Sequence, residues 1–253
     1  MFCTLPSPSP SLAAVPSGSP MERKAPPVEL IEPIVFRYPF TAQDLKQSDY
    51  YSQIVGSCKK SSSNSNSDPT SDSPSTDSTH SLTSTTMQVS VHTPGRHLKK
   101  ELALVFPELK NSKHLDQLLV IPTFQLSRHD LVAVTPETNL ERNILLDYIY
   151  IFGQKFRDNI AALGYWADMT DPASGYPIYS DRGAALYPDV DGAIRLLKYQ
   201  TILAGCCKVL RHPKWGTKNY PATLFTTAPL PVVEQVLSAM ISSNLESCAK
   251  EHN

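Results

Sequence analysis

Positive charge, cysteine and long apolar runs are all scarce in this 253-residue sequence. The formal net charge is -1, with 23 Lys and Arg against 24 Asp and Glu. That balance argues against a nucleic-acid or membrane-surface partner attracted by bulk charge. No apolar run approaches a transmembrane length, so no membrane span is predicted. The five cysteines lie at irregular positions and indicate no disulfide framework, which favours a reducing compartment.

Targeting signals are also weak in the sequence. The first 20 residues lack the basic flank and apolar core of a secretory signal. A mitochondrial leader is usually rich in Arg, whereas residues 1–21 contain no Arg or Lys. Met21, followed by Arg23 and Lys24, is an alternative start. We therefore expect a cytoplasmic protein and leave a mitochondrial location open.

Composition divides the chain into two parts. Twelve of the 22 prolines precede residue 96, and residues 61–86 are almost all Ser, Thr, Asp, Asn or Pro. Such segments bury too little apolar surface to offset the entropy of ordering. We predict that residues 1–84 are largely disordered, apart from a short apolar segment at 28–56. That segment is interpreted as a conditionally ordered edge strand or a docking segment. Residues 85–253 are predicted to form one folded domain.

The pattern within residues 85–253 predicts an α+β fold with a mainly antiparallel sheet and packed helices. Alternation around Met87 to Val91 is typical of a half-buried strand, and residues 116–126 supply another. Residues 129–134 are read as a hairpin partner of that second strand. A capping pattern at Thr138 and Glu141 predicts a long helix that ends at Gly164.

An unusual stretch of adjacent cysteines and cations runs from Gly205 to His212. It is predicted to be one strand that begins at Gly205, in which Cys206 shares a face with Lys208 and His212. Nearby cations contribute roughly 1 to 2 kcal/mol at this spacing, which would lower the pKa of the Cys206 thiol. Cys206 is therefore the candidate reactive thiolate or soft metal ligand, and Cys207 is the candidate core filler.

Three other interpretations of the cysteine pair are open, and two of them are disfavoured. Both thiols could simply pack as small apolar side chains, since free cysteine is among the most buried residue types. A thiol redox protein is disfavoured because the sequence has no Cys-x-x-Cys spacing. A structural zinc site is disfavoured because no second Cys or His pair lies at ligand spacing.

Two ungapped blocks carry a family resemblance. The first comprises Gly205-Cys206-Cys207-Lys208-Val209, Arg211-His212 and Trp215-Gly216-Thr217. The second comprises Gly164-Tyr165-Trp166-Ala167-Asp168, Asp171-Pro172 and Ser174-Gly175. Through these blocks the sequence resembles the CblD family of methylmalonic aciduria and homocystinuria type D, over roughly residues 85–253.

The resemblance implies a cobalamin-trafficking adaptor that is not itself an enzyme. It implies a nitroreductase-like scaffold without flavin, and cobalamin held by a CblC-like cobalamin-processing partner. Delivery would serve methionine synthase in the cytosol and methylmalonyl-CoA mutase in mitochondria. The alternative function is a flavin-dependent reductase of the nitroreductase-like class.

The resemblance also assigns roles within the cysteine stretch. Cys206 would supply the thiolate ligand to cobalt, with Cys207 beside it in the same cofactor-binding stretch. Lys208 and His212 would stabilise that thiolate. Gly205 would let the backbone approach the macrocycle closely.

Overall fold

A five-stranded antiparallel sheet forms the centre of the computed structural model, which describes residues 28–41, 44, 46, 84–110, 112–205 and 207–250. Its strands, in spatial order, are β1 (Val28–Pro39), β2 (Ser84–Thr93), β3 (Leu119–Leu126), β7 (Asn219–Thr226) and β4 (Ala167–Met169). All four pairings are antiparallel. A separate hairpin consists of β5 (Gln200–Ala204) and β6 (Cys207–Arg211). The predicted α+β class with an antiparallel sheet is therefore confirmed.

Five α-helices surround these strands in the part of the chain that the structure describes. They are α1 (Arg96–Val105), α2 (Ser112–Gln117), α3 (Pro136–Ala162), α4 (Asp189–Leu197) and α5 (Leu230–Lys250). A short 3-10 turn (Pro107–Lys110) joins α1 to α2. None of the described helices has the combination of length and apolar character needed to cross a membrane.

The apolar segment near the N-terminus contributes the edge strand β1. It pairs with β2 from Val28 opposite Thr93 to Pro39 opposite Ser84, with register shifts near Ile31. Tyr38 is fully buried, and Phe40 is 5% exposed. The sequence left two roles open for this segment, an edge strand or a docking segment, and the structure shows the edge strand. The predicted disorder of residues 1–27 and 47–83 lies outside the described residues.

Both faces of the sheet are covered, which the sequence did not predict. One face packs Met87, Val89 and Val91 of β2 against the apolar sides of α3 and α5. On the other face of β2, Gln88 and His92 are equally buried. The expectation of a half-buried strand was therefore wrong, because α1, α4 and the β5–β6 hairpin cover the second face.

Helix α3 begins earlier than predicted. Its N-cap is Thr135, which forms a reciprocal capping box with Thr138. The predicted capping residue Glu141 instead accepts hydrogen bonds from the backbone N–H groups of Arg128 (2.6 Å) and His129 (3.0 Å). Residues 129–134 form turns rather than the expected hairpin partner, since β3 already pairs with β2 and β7. Gly164, at φ +82°, does follow the helix end as predicted.

Close packing of α3 on β4 depends on Gly153, where an added Cβ would collide with the Met169 side chain. We expect Gly153→Ala to lower the free energy of unfolding by about 1 to 2 kcal/mol, because overpacking outweighs the gain in helix propensity. Urea unfolding measures the change. In a Met169→Ala background the collision is gone, so the same substitution should cost nothing. An equal loss in both backgrounds would contradict this account of the packing.

Candidate functional site

The conspicuous cysteine stretch forms one side of the β5–β6 hairpin. Five residue pairs join the strands, from Gln200 opposite Arg211 to Ala204 opposite Cys207. Gly205 has a φ of +61°, a conformation that glycine adopts readily and other residues rarely do. The prediction of one strand starting at Gly205 was therefore wrong, because β6 begins at Cys207. Cys206 itself lies outside the described residues.

Alternation along β6 places Cys207 away from the core. The register puts Cys207, Val209 and Arg211 on one face, whereas Leu210 on the other face is buried. Cys207 is exposed. Its interpretation as a core filler was therefore wrong, because the buried face of this strand is the one that carries Leu210.

Lys208 occupies the face that turns towards α4. Its Nζ lies 3.6 Å from Oδ1 of Asp191, and the two side chains are 60% and 44% exposed. A pair so open to solvent contributes at most about 1 kcal/mol to stability. The ammonium group therefore remains available to other anions.

His212 cannot supply the positive charge that the sequence suggested. Its ring is 1% exposed, and Nδ1 accepts hydrogen bonds from the backbone N–H groups of Lys214 (3.3 Å) and Trp215 (3.2 Å). Burial, and then the neighbouring Lys214 charge, lowers the pKa of His212 from 6.5 to about 4. The imidazole is neutral at physiological pH, so the expected stabilisation of a thiolate by a cationic His212 was wrong.

The neutral imidazole instead shapes the turn that follows β6. The backbones of His212 and Gly216 are joined by two hydrogen bonds, of 2.8 and 2.9 Å. The indole of Trp215 stacks on the imidazole, with ring centroids 4.3 Å apart and planes 20° apart. His212 therefore has a structural role, which sequence spacing alone did not reveal.

An aromatic cluster fastens the base of the hairpin to the sheet. Tyr199, just before β5, and His212, just after β6, have ring centroids 5.3 Å apart. Both rings pack against Phe124 of β3, at 5.4 and 5.3 Å. The Tyr199 hydroxyl also accepts a hydrogen bond of 2.9 Å from Nε2 of Gln88 on β2. The two ends of the hairpin are thus held together and anchored on two central strands.

A buried carboxyl group lies at the N-terminus of α4. Oδ1 of Asp189, the first residue of that helix, accepts a 2.6 Å hydrogen bond from Oγ1 of Thr223 on β7. Desolvation raises the pKa of Asp189 from 3.8 to about 7, although the Thr223 hydrogen bond opposes the shift. This residue falls in no element predicted from the sequence. Pro188 before Asp189 and the apolar residues Ile194, Leu196 and Leu197 are the signals that could have located the helix.

The two aspartates of the block from Gly164 to Gly175 accept hydrogen bonds from the backbone. The Asp168 carboxylate accepts hydrogen bonds from the N–H groups of Tyr179 (3.1 Å) and Ser180 (2.8 Å). Asp171 accepts from the N–H groups of Ala173 and Ser174, at 3.1 and 3.2 Å. Through these bonds Asp171 forms the turn that follows β4. Within the described residues, no group of three or more His, Cys, Asp or Glu could hold a metal ion.

Comparison with known proteins identifies relatives of one kind. The family model described as "Methylmalonic aciduria and homocystinuria type D protein" matches residues 39–237. Cobalamin trafficking protein CblD of Homo sapiens is 30% identical over 142 residues, which cover 56% of this chain and 47% of that protein. The Gallus gallus protein of the same name is 32% identical over 131 residues, or 52% and 43% of the two chains. The chain therefore spans about half the length of the curated relatives it matches.

The buried Asp189 carboxyl makes stability depend on pH with a definite sign. Because its pKa is raised to about 7, the folded state holds a proton that the unfolded chain releases above about pH 4. This contribution to stability is present at low pH and is lost as the pH rises towards 7. His92 and His212, whose burial lowers their pKa values to about 4, act oppositely. Their contribution is lost as the pH falls from 6.5 to 4.

We therefore expect Asp189→Asn to gain stability relative to the parent as the pH rises from about 4.5 to 6.5. The gain should reach at most about 1.4 kcal/mol per pH unit, measured by chemical unfolding across that range. The control is Asp191→Asn, which removes a half-exposed carboxylate from the same helix; an equal change in this variant would show that the effect is not specific to the buried group. Parallel profiles for Asp189→Asn and the parent would show that the buried carboxyl does not titrate as stated.

Proposed function

We propose that this chain, which belongs to the family of the methylmalonic aciduria and homocystinuria type D protein, is an adaptor in cobalamin trafficking. The family match over residues 39–237 and the relatives named as cobalamin trafficking proteins support the proposal. In this proposal the chain catalyses no reaction alone. It receives cobalamin from a CblC-like cobalamin-processing protein and passes it on as cargo.

The observation that carries the proposal is the exposed end of the β5–β6 hairpin. Ala204 pairs with Cys207, so Gly205 and Cys206 connect the two strands. Gly205 and Cys207, the neighbours of Cys206 in the chain, are both exposed, and Leu203 is 78% exposed. A thiolate offered at such an end could reach a corrinoid carried by another protein.

Coordination of cobalt is the chemistry that we assign to Cys206. The thiolate donates a sulfur lone pair to the partner-bound cobalt and forms a Co–S bond without oxidation of either atom. Thiolates are soft ligands for transition metals. The positive charge of Lys208 favours the thiolate form of Cys206. No described atom beyond its chain neighbours lies within 4 Å of where a Cβ on Gly205 would sit, which leaves room for the macrocycle to approach.

The remaining features of the proposal follow the family. The partner is a CblC-like protein, and the destinations are methionine synthase and methylmalonyl-CoA mutase. We place the protein in the cytoplasm, with a second location in mitochondria. A nitroreductase-like ancestry of the sheet and helices, without flavin, is part of the same proposal.

Absorption spectroscopy tests the thiolate assignment. Mixing the parent with CblC and cob(II)alamin should change the cobalamin spectrum as the Co–S bond forms. Cys206→Ser should abolish the change, and Cys207→Ser should keep it. Lys208→Met should move the pH midpoint of the change upward by about half a pH unit, because the thiolate loses a neighbouring cation that solvent partly screens.

The two serine variants form a matched pair, because each removes one sulfur from adjacent positions. A parent-like spectrum from Cys206→Ser would remove the ligand assignment. Loss of the spectral change in Cys207→Ser alone would transfer the role to Cys207.

A further inference from the structure

One long segment of the chain carries positive charge only. Residues 192–233 contain six Lys and Arg and no Asp or Glu, although the whole chain has a net charge of -1. Two of the six meet acidic groups, since Arg195 contacts Glu101 and Lys208 lies near Asp191. The other four are exposed and, among the described residues, none lies within ion-pair distance of a carboxylate: Lys198, Arg211, Lys214 and Lys218.

Three of these cations lie around a single turn at the base of the hairpin. Arg211 is the last residue of β6, and Lys214 lies inside the turn between His212 and Gly216. The backbone N–H of Lys218 donates a 3.1 Å hydrogen bond to the carbonyl of Trp215 in that turn. We call Arg211, Lys214 and Lys218 the basic rim.

An apolar strip adjoins the basic rim on the hairpin. Ile202 pairs directly with Val209, and the register puts Arg211 on the same face. Ile202 is 39% exposed, and its partner Val209 is half-buried. Leu203, which is 78% exposed, lies near the end of the hairpin on the opposite face. Within the described residues, neither strand of the hairpin pairs with a third strand. An apolar centre with a charged rim is the usual anatomy of a protein–protein interface.

From this arrangement we infer that the outer face of the hairpin docks on an acidic protein surface. The occupant is the corrinoid-carrying partner, with carboxylates placed opposite the basic rim, so the inference rests on the proposed function. Opposite charges would steer the encounter and set the orientation in which the hairpin end meets the corrinoid. Equal positive charges would also disfavour pairing of two copies of this chain through the same face.

A nucleic acid fits the surface less well than an acidic protein. Binding of single strands without sequence preference relies on aromatic side chains on which bases stack. The aromatic residue beside the basic rim is Trp215, and one side of its ring is already stacked on His212. The cross-strand pair on the same face as Arg211, Ile202 and Val209, is aliphatic.

Association kinetics of the full chain test the surface. The probe is CblC loaded with cob(II)alamin, and the rate constant is measured from low to high salt. The triple charge reversal Arg211→Glu, Lys214→Glu and Lys218→Glu should slow association about tenfold at low salt, with the difference shrinking as salt screens the charges. The neutral triple Arg211→Gln, Lys214→Gln and Lys218→Gln should fall between this variant and the parent.

A matched control separates the surface from net charge. Arg96→Glu, Lys100→Glu and Lys110→Glu change the same number of charges on exposed residues of α1 and the 3-10 turn. This triple should associate at nearly the parent rate. Thermal melts followed by circular dichroism check that each variant is folded.

The outcomes distinguish this inference from the proposed function. At saturating partner, the hairpin triple should still give the full cobalamin spectrum, whereas Cys206→Ser should associate at the parent rate without the spectral change. The inference of an acidic docking surface would be overturned if the parent does not associate with the partner, if association does not depend on salt, or if the control triple slows it equally. A single-stranded oligonucleotide provides the last test. If the parent binds it in a salt-dependent way, the hairpin triple alone loses that binding, and partner association is unchanged, the surface is reassigned to nucleic acid.

Discussion

Coverage of both faces of the central sheet is the constraint from which the position of the hairpin follows. Polar side chains on the second face are buried, and buried polar groups require hydrogen-bond partners. Gln88 finds its partner in Tyr199, which immediately precedes β5. Thr223 finds its partner in Asp189, which begins the helix before that hairpin. The hydrogen bonds that pair the buried polar side chains of the sheet therefore also hold α4 and Tyr199, which precede the hairpin in the chain.

The hairpin combines an anchored base with an exposed end. At the base, the rings of Tyr199, His212 and Phe124 contact one another, and His212 is kept neutral by burial. At the far end, Leu203 and Cys207 are exposed. A binding element of this kind loses little conformational freedom on docking, because its base is already ordered. An anchored base combined with an exposed end suits an adaptor that must present one group to another protein.

Local patterns in the sequence were sufficient for part of this architecture. Alternation at Met87 to Val91, and the long helix ending at Gly164, led to the α+β class. Alternation after Cys207 also separated the two faces of β6. The start of that strand was misplaced because the positive φ of Gly205 belongs to a hairpin connection, and its partner β5 was not recognised.

Long-range packing explains the parts that could not be predicted. The charge of His212 depends on burial beneath rings that come from residues far away in the chain, such as Phe124. The partner of Asp189 is Thr223, on a strand 34 residues later. Neither pair of residues, His212 with Phe124 or Asp189 with Thr223, is close enough in the sequence to form a local motif. The overall class could therefore be read from neighbouring residues, whereas the protonation states within the site could not.

The pairing of Pro39 with Ser84 has a consequence for how the N-terminal part of the chain can vary. These two residues face each other across β1 and β2 although residues 40–83 separate them in the sequence. For a flexible connection, the entropy of closing the loop grows only with the logarithm of its length, and doubling the length costs about 0.6 kcal/mol. On this relation alone, changing the length of the connection costs little, whereas loss of the buried Phe40 or Asp44 side chain would cost core packing or the ion pair with Lys155.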